Sequence, residues 1–372
     1  MGKPRLEVLD GLRFVAAISV VAYHFTTMDR VWHRPAADLF PAQTATYGWL
    51  GVYLFFLISG FVICMSAWGR GVGSFLVSRA VRLYPAYWLS IVVITLVLLV
   101  WPMRPVSWPG TLVNLTMFQD AFGQPPVAEV YWTLWAELRF YLLFSLLVWR
   151  GLSYRRVAGF CVAWLFAVTV TKAVVPDGAV IHVVLMTDYA PLFTAGIACY
   201  LMYRFRPTVL TWGIIAASFA LAVPAARYRA GLESYPGQPP VPAWPAVVLM
   251  GVCFLMVIAV ALGWLNRVRG RWLVVLGATT YPLYLLHLDL GGPVLYAWQE
   301  HVPPLLLVTM VTAVLIGVAW LVHRYVERPL APHMKRTLLR LGGSAKTGSA
   351  KTSVLTAGSH RTTPEPWGGS PG

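Results

Sequence analysis

The chain predicts an all-α integral membrane protein of about ten transmembrane helices with both termini cytoplasmic. Three observations predict it: the composition, a series of apolar runs of spanning length, and the way Lys and Arg alternate between them. The 372 residues are 58% hydrophobic and only 12% charged, whereas a soluble domain carries about 25% charged residues. The formal charge of +15 argues for a membrane topology and against nucleic-acid binding, because the basic residues lie between apolar runs and in a C-terminal tail.

A helix needs about 17–25 apolar residues to cross a bilayer. Ten runs qualify: 12–27, 48–67, 87–101, 133–149, 157–175, 180–203, 208–223, 244–262, 272–290 and 305–322. The first is short and polar, the third stops at Pro102, and the ninth contains Pro282, His287 and Asp289. With the N-terminus inside, fourteen basic residues precede the tail on the cytoplasmic side: Lys3, Arg5, Arg13, Arg70, Arg79, Arg82, Arg150, Arg155, Arg156, Arg204, Arg206, Arg267, Arg269 and Arg271. The outer loops hold six, Arg30, Arg34, Arg104, Lys172, Arg227 and Arg229, as the positive-inside rule requires.

The outer loops are rich in Pro and Trp, as in PVSWPG and YPGQPPVPAWP, which suits an interfacial aromatic belt. No small-residue cleavage site follows the first run, so it reads as a retained helix. Residues 1–336 form the membrane domain. Residues 337–372 are Gly/Ser/Thr-rich without periodicity and are expected to be a disordered cytoplasmic tail. Cys64, Cys161, Cys199 and Cys253 fall within apolar runs and read as small buried hydrophobes. No CxxC pair occurs and no metal site is expected.

Four stretches carry ionisable groups where lipid would not tolerate them. In LDGLRFVAAISVVAYHF, Arg13 and His24 are eleven residues apart. That is about 20° beyond three whole turns and roughly 16 Å of rise, so both lie on one helix face. Arg13 is either an interfacial anchor or a cavity residue, and His24 either a satisfied core imidazole or a base facing a polar cavity. In YWTLWAELRFY, Glu137 lies roughly 7 Å below the outer interface, a depth compatible with His24. A carboxylate there could orient the imidazole as a general base; alternatively Glu137 and Arg139 pair with separate helices.

In FLVSRAVRLYPAYW, Arg79 and Arg82 share a face at i and i+3. They are either a phosphate clamp or ordinary positive-inside charge. In TTYPLYLLH, Pro282 frees a backbone carbonyl near a cavity, and His287 is a second site imidazole or a packing residue. Asp188, in MTDYAP, is a further acid in the outer half. There is no GxSxG elbow, no GxxxxGK[ST] loop and no HExxH, which disfavours a serine hydrolase, an ATP-driven pump and a metalloprotease.

In order, LDGLRFVAAISVVAYH, WLGVYLFFLISGFVI, SRAVRLYPAYW, WTLWAELRFYLL, YPLYLLH and VERP resemble the membrane acyltransferase family 3, the multi-helix integral membrane O-acyltransferases. The resemblance runs from about Leu9 to Pro329 and is to the form without a C-terminal soluble esterase-like domain. It implies transfer of an acyl group, often acetyl, from acyl-CoA to a hydroxyl of a carbohydrate, glycolipid or secondary metabolite. It also implies functional roles for Arg13, His24, Arg79 and Arg82, and for the acid Glu137.

The expectation is therefore a multi-pass cell-membrane O-acyltransferase with no metal, His24 and Glu137 being catalytic. Arg13, Arg79 and Arg82 would bind the acyl-CoA co-substrate, and Asp188 and His287 are candidates for the substrate cavity. The expected partners are the lipid bilayer, acyl-CoA and a hydroxyl-bearing acceptor, without nucleic acid. A transporter or flippase of a lipid-linked or acylated sugar is the alternative. It would show repeat-related halves with paired broken helices, and no convincing internal repeat is visible.

Overall fold

A computed structural model describes residues 6–28, 31–33, 39–40, 45–234 and 240–352, with the backbone alone for 342–352. Of the residues in the charge count, Lys3, Arg5, Arg30 and Arg34 lie outside these. Among the described residues there is no strand. The helices are α1 (Glu7–Thr27), α2 (Leu50–Ala67), α3 (Val72–Val100), the short α4 (Trp108–Asn114), α5 (Trp132–Trp149), α6 (Tyr154–Val174), the short α7 (Val180–Leu185) and α8 (Ala190–Phe205). They continue as α9 (Val209–Gly231), α10 (Ala243–Ala261), α11 (Arg271–Trp298), α12 (Pro304–Val322) and α13 (Arg328–Thr352). A π-helical turn, His323–Glu327, joins the last two.

Nine of the described helical stretches are long and apolar enough to cross a membrane, and the chain is an all-α integral membrane protein. The fourth run of the sequence is α5. It forms an 18-residue helix but is not among the nine, because Glu137 and Arg139 lower its mean hydropathy. The third span begins at Val72, well before position 87, so Arg79 and Arg82 stand on the same continuous helix that crosses the bilayer. The sixth run is broken between α7 and α8. Met186 there adopts a left-handed φ of 52°, and Pro191 restarts the helix from its first turn. Asp188 lies in this break.

Chain ends of helices are set locally. Ser153 accepts a hydrogen bond from the Arg156 N–H at the start of α6, and Thr208 forms a capping box with Thr211 at the start of α9. The expected tail boundary at 337 coincides with no helix end, since α13 continues to Thr352. Positions 353–372 of that tail lie outside the described residues.

The core of the bundle is α1, α2, α8 and α11, with α1 running along α11 and α2. The α2–α8 crossing depends on two glycines. A Cβ on Gly60 would lie 2.1 Å from the Phe193 carbonyl oxygen, and one on Gly196 would lie 2.0 Å from that of Leu57. Small residues let membrane helices approach this closely. Replacing Gly60 by Leu is expected to force the helices apart at a cost of about 1–3 kcal/mol or more. A lowered thermal unfolding temperature of the purified protein would check this.

Stripes of exposed apolar residues at four-residue spacing mark the outer faces, such as Val92, Leu96 and Val100 on α3 and Val162, Phe166 and Val170 on α6. They suit hydrocarbon. All four cysteines are buried, as their apolar runs lead one to expect.

Candidate active site

Among the described residues, α1 contributes to the walls of two of the cavities in the bundle. The first, of about 380 Å³, is bounded by Arg13 from α1, Ser59 from α2, Arg79 and Arg82 from α3, Glu137 and Tyr141 from α5, and Tyr281 from α11. The structure therefore brings together four of the predicted residues: Arg13, Arg79, Arg82 and Glu137. The Arg pair shares a helix face because of its i, i+3 spacing. Arg13 joins it from another helix.

The groups around this arginine cavity are held by specific partners. Ser59 Oγ donates to Glu137 Oε1. Arg79 Nε donates to Ser78 Oγ at 3.2 Å. The Arg82 guanidinium lies 5.8 Å from the centre of the Tyr281 ring, a cation–π distance. Its Nη1 is 3.5 Å from Glu327 Oε2.

Glu327 comes from the π-helical turn and is buried, with a side-chain exposure of 7%. The same oxygen is 2.7 Å from His323 Nδ1, while Oε1 is buried with no partner among the described residues. A π turn places Glu327 off the regular helical register, and such turns often occur at functional sites.

The second cavity, of about 540 Å³, contains His24 together with Tyr23, Trp49, Tyr53, Glu129, Trp132, Asp188, Tyr189 and Arg229. Its wall is rich in Trp and Tyr, with a few charges. Tyr23 Oη donates to Glu233 Oε1 at 2.8 Å and accepts from Arg229 Nη2 at 2.9 Å, tying α1 to α9. Trp49 lines the cavity, and its indole N–H is buried without a partner among the described residues. Asp188 sits at this cavity paired to Lys172 at 2.7 Å.

His24 and Glu137 do not pair. His24 Nδ1 is 2.7 Å from His287 Nε2, with the rings nearly parallel at 15° and 5.0 Å between centres. Glu137 stands in the arginine cavity. The expectation failed because depth in the bilayer gives height along a bundle but not direction around it. α1 packs along α11 and has little or no contact with α5. His287 is fully buried and lines neither cavity; it stands behind His24.

The partners of His287 assign the protons. Its Nδ1 faces the Tyr284 carbonyl oxygen at 2.8 Å and that of Leu283 at 3.3 Å. A carbonyl only accepts, so His287 Nδ1 carries a hydrogen. In the neutral ring Nε2 is then an acceptor, and His24 Nδ1–H must donate to it. The lone pair of a neutral His24 is thereby placed on Nε2. A second imidazole and a backbone carbonyl, not a carboxylate, hold the His24 ring.

Comparison with known proteins decides the family. The profile described as "Acyltransferase domain" matches residues 6–324. The chain belongs to this acyltransferase family. Among curated relatives, the acyltransferase-family chain is 29% identical to Acyltransferase MdmB of Streptomyces mycarofaciens over 38% of its own length and 39% of the relative's. It is 25% identical to Peptidoglycan O-acetyltransferase OatA of Listeria monocytogenes, covering 87% of this chain and 55% of that one. It is 30% identical to Putative peptidoglycan O-acetyltransferase YrhL of Bacillus subtilis over 39% of this chain and 24% of the relative. The matches thus span about a quarter to just over half of these relatives. No solved structure matches the chain.

Sequence reasoning did not single out Ser59, Glu327, Tyr284 or Trp49 in this acyltransferase-family chain. Glu327 had a signal in VERP. Ser59 and Tyr284 are ordinary polar residues in apolar helices, and only their neighbours in space distinguish them.

Proposed function

We propose that the protein is an integral membrane O-acyltransferase. It transfers an acyl group, acetyl foremost, from acyl-CoA to a hydroxyl of a carbohydrate, glycolipid or secondary metabolite. Both termini face the cytoplasm of a cell membrane crossed many times, so that the arginine cavity opens toward the cytoplasmic donor. The observation that carries this reading is the chain from the Tyr284 carbonyl through His287 to His24, which fixes the orientation of an imidazole in a cavity wall.

Coenzyme A is rich in phosphate. Arg79 and Arg82 supply bidentate, charge-assisted donors to phosphate oxygens, with Arg13 beside the access path. Glu137, held by Ser59, offsets part of the convergent positive charge. The acceptor enters the aromatic cavity, where sugar C–H faces can lie on Trp and Tyr rings and a sugar oxygen can accept from the buried Trp49 N–H.

His24 Nε2 removes the hydroxyl proton as the oxygen attacks the thioester carbonyl. The resulting tetrahedral adduct collapses by breaking the C–S bond. The departing thiolate takes the proton back from the imidazolium. His287, anchored to a backbone carbonyl, keeps the His24 ring in the required tautomer and orientation.

Purified protein in vesicles, supplied with labelled acetyl-CoA, should release free CoA and label a hydroxyl-bearing acceptor in equal amounts. Release without a labelled acceptor from a broad glycan panel would argue against transfer. The Listeria relative's name makes glycans the first acceptors to test. Glu327→Gln is expected to raise the apparent KM for acyl-CoA about three- to tenfold with a smaller change in kcat, because Arg82 loses an ionic partner. Steady-state kinetics with each substrate varied in turn would check it.

A further inference from the structure

The two cavities share two wall residues, Val52 of α2 and Tyr284 of α11. Tyr284 is held from both sides. Thr133, in the wall of the arginine cavity, donates to the phenol oxygen at 2.9 Å. The phenol in turn donates to the carbonyl of Val130, in the wall of the histidine cavity, at 3.3 Å. Phe55 packs edge-on against the ring, with 5.8 Å between centres. The phenol is therefore a fixed partition, fastened by hydrogen bonds and braced by an aromatic neighbour.

Among the described residues these two side chains are what the two cavity walls share, so an acyl group bound by its CoA phosphates in the first cavity would pass between them to meet His24. We propose that the Tyr284 side chain, with Val52 opposite, is the septum that admits the acyl group to the histidine cavity and limits its length. This rests on the acyl-transfer reading above. The Tyr284 backbone carbonyl anchors His287, but that anchor does not need the phenol. The side chain can therefore be altered without removing the acceptor at the end of the histidine chain.

The test uses the full-length protein in detergent and CoA thioethers bearing ethyl, butyl, hexyl and octyl chains, which cannot be cleaved. Affinity for each is normalised to CoA itself on the same variant. In the wild type, affinity should fall about tenfold or more once the chain exceeds the space before the septum, since a hydrophobic site resolves single methylenes by about 10–200-fold. Tyr284→Ala and Val52→Ala should each move that fall to longer chains. Val52→Phe should move it to shorter ones, a change in the opposite direction that loss of folding could not produce. An identical chain-length profile in all variants, with CoA still bound, would overturn the septum alone. Failure of the wild type to bind CoA at all would overturn the donor reading and the septum with it.

Discussion

Replacing His24 by Ala is expected to lower acyl transfer by about 10³-fold, within the range a positioned general base contributes. The protein should still insert, purify and bind CoA, because His24 lies at the aromatic cavity and not in the cavity of Arg13, Arg79 and Arg82. His287→Phe keeps a ring of similar shape but removes the nitrogen that accepts from His24 Nδ1. That variant should lose about 10²-fold, because its imidazole base is no longer fixed in one tautomer. Single-turnover rates at saturating acetyl-CoA, with CoA affinity measured alongside, separate a loss of chemistry from a loss of donor. Retained turnover in His24→Ala would exclude this imidazole as the base.

The second large effect belongs to the clamp. Hydrogen bonds to charged groups contribute about 1.5–3 kcal/mol each. Arg79→Ala combined with Arg82→Ala should therefore weaken CoA binding by about 10²- to 10⁴-fold, while the acceptor KM changes little. Lys at both positions should give an intermediate loss, since it keeps the charge but not the planar fork. Equilibrium binding of CoA reads this directly. An affinity equal to that of the wild type would return both arginines to the role of topological charge.

Much of this architecture was legible in the chain because lipid imposes simple rules. Apolar length marks spans, and a helix face is read from residue spacing alone. Arg13 and His24 do lie on cavity walls passed by the same helix, as their spacing along α1 suggested. The Arg79–Arg82 pair needed only an i, i+3 spacing.

What was not legible is azimuth, the direction in which one helix presents a residue to the others. Glu137 had the right depth for His24 but sits in the other cavity, and His287 filled its place. The extent of α3 was hidden because Arg79 and Arg82 interrupt its hydropathy. α5 fell short of a span for the same reason. Glu327 is brought to Arg82 by a π turn, which no periodic pattern announces.

The partition between a basic cavity and an aromatic one also has an electrical meaning. Moving one elementary charge through a membrane potential changes its energy by about 2.3 kcal/mol per 100 mV. In the proposed reaction the phosphates of the donor would stay with Arg79 and Arg82, and what passes Tyr284 would be an uncharged acyl group. The proton exchanged at His24 would be taken up and given back on one side of the septum. A turnover that carries no net charge across the field should run at the same rate in energised and de-energised vesicles. Such an enzyme could modify its acceptor without drawing on the membrane potential at all.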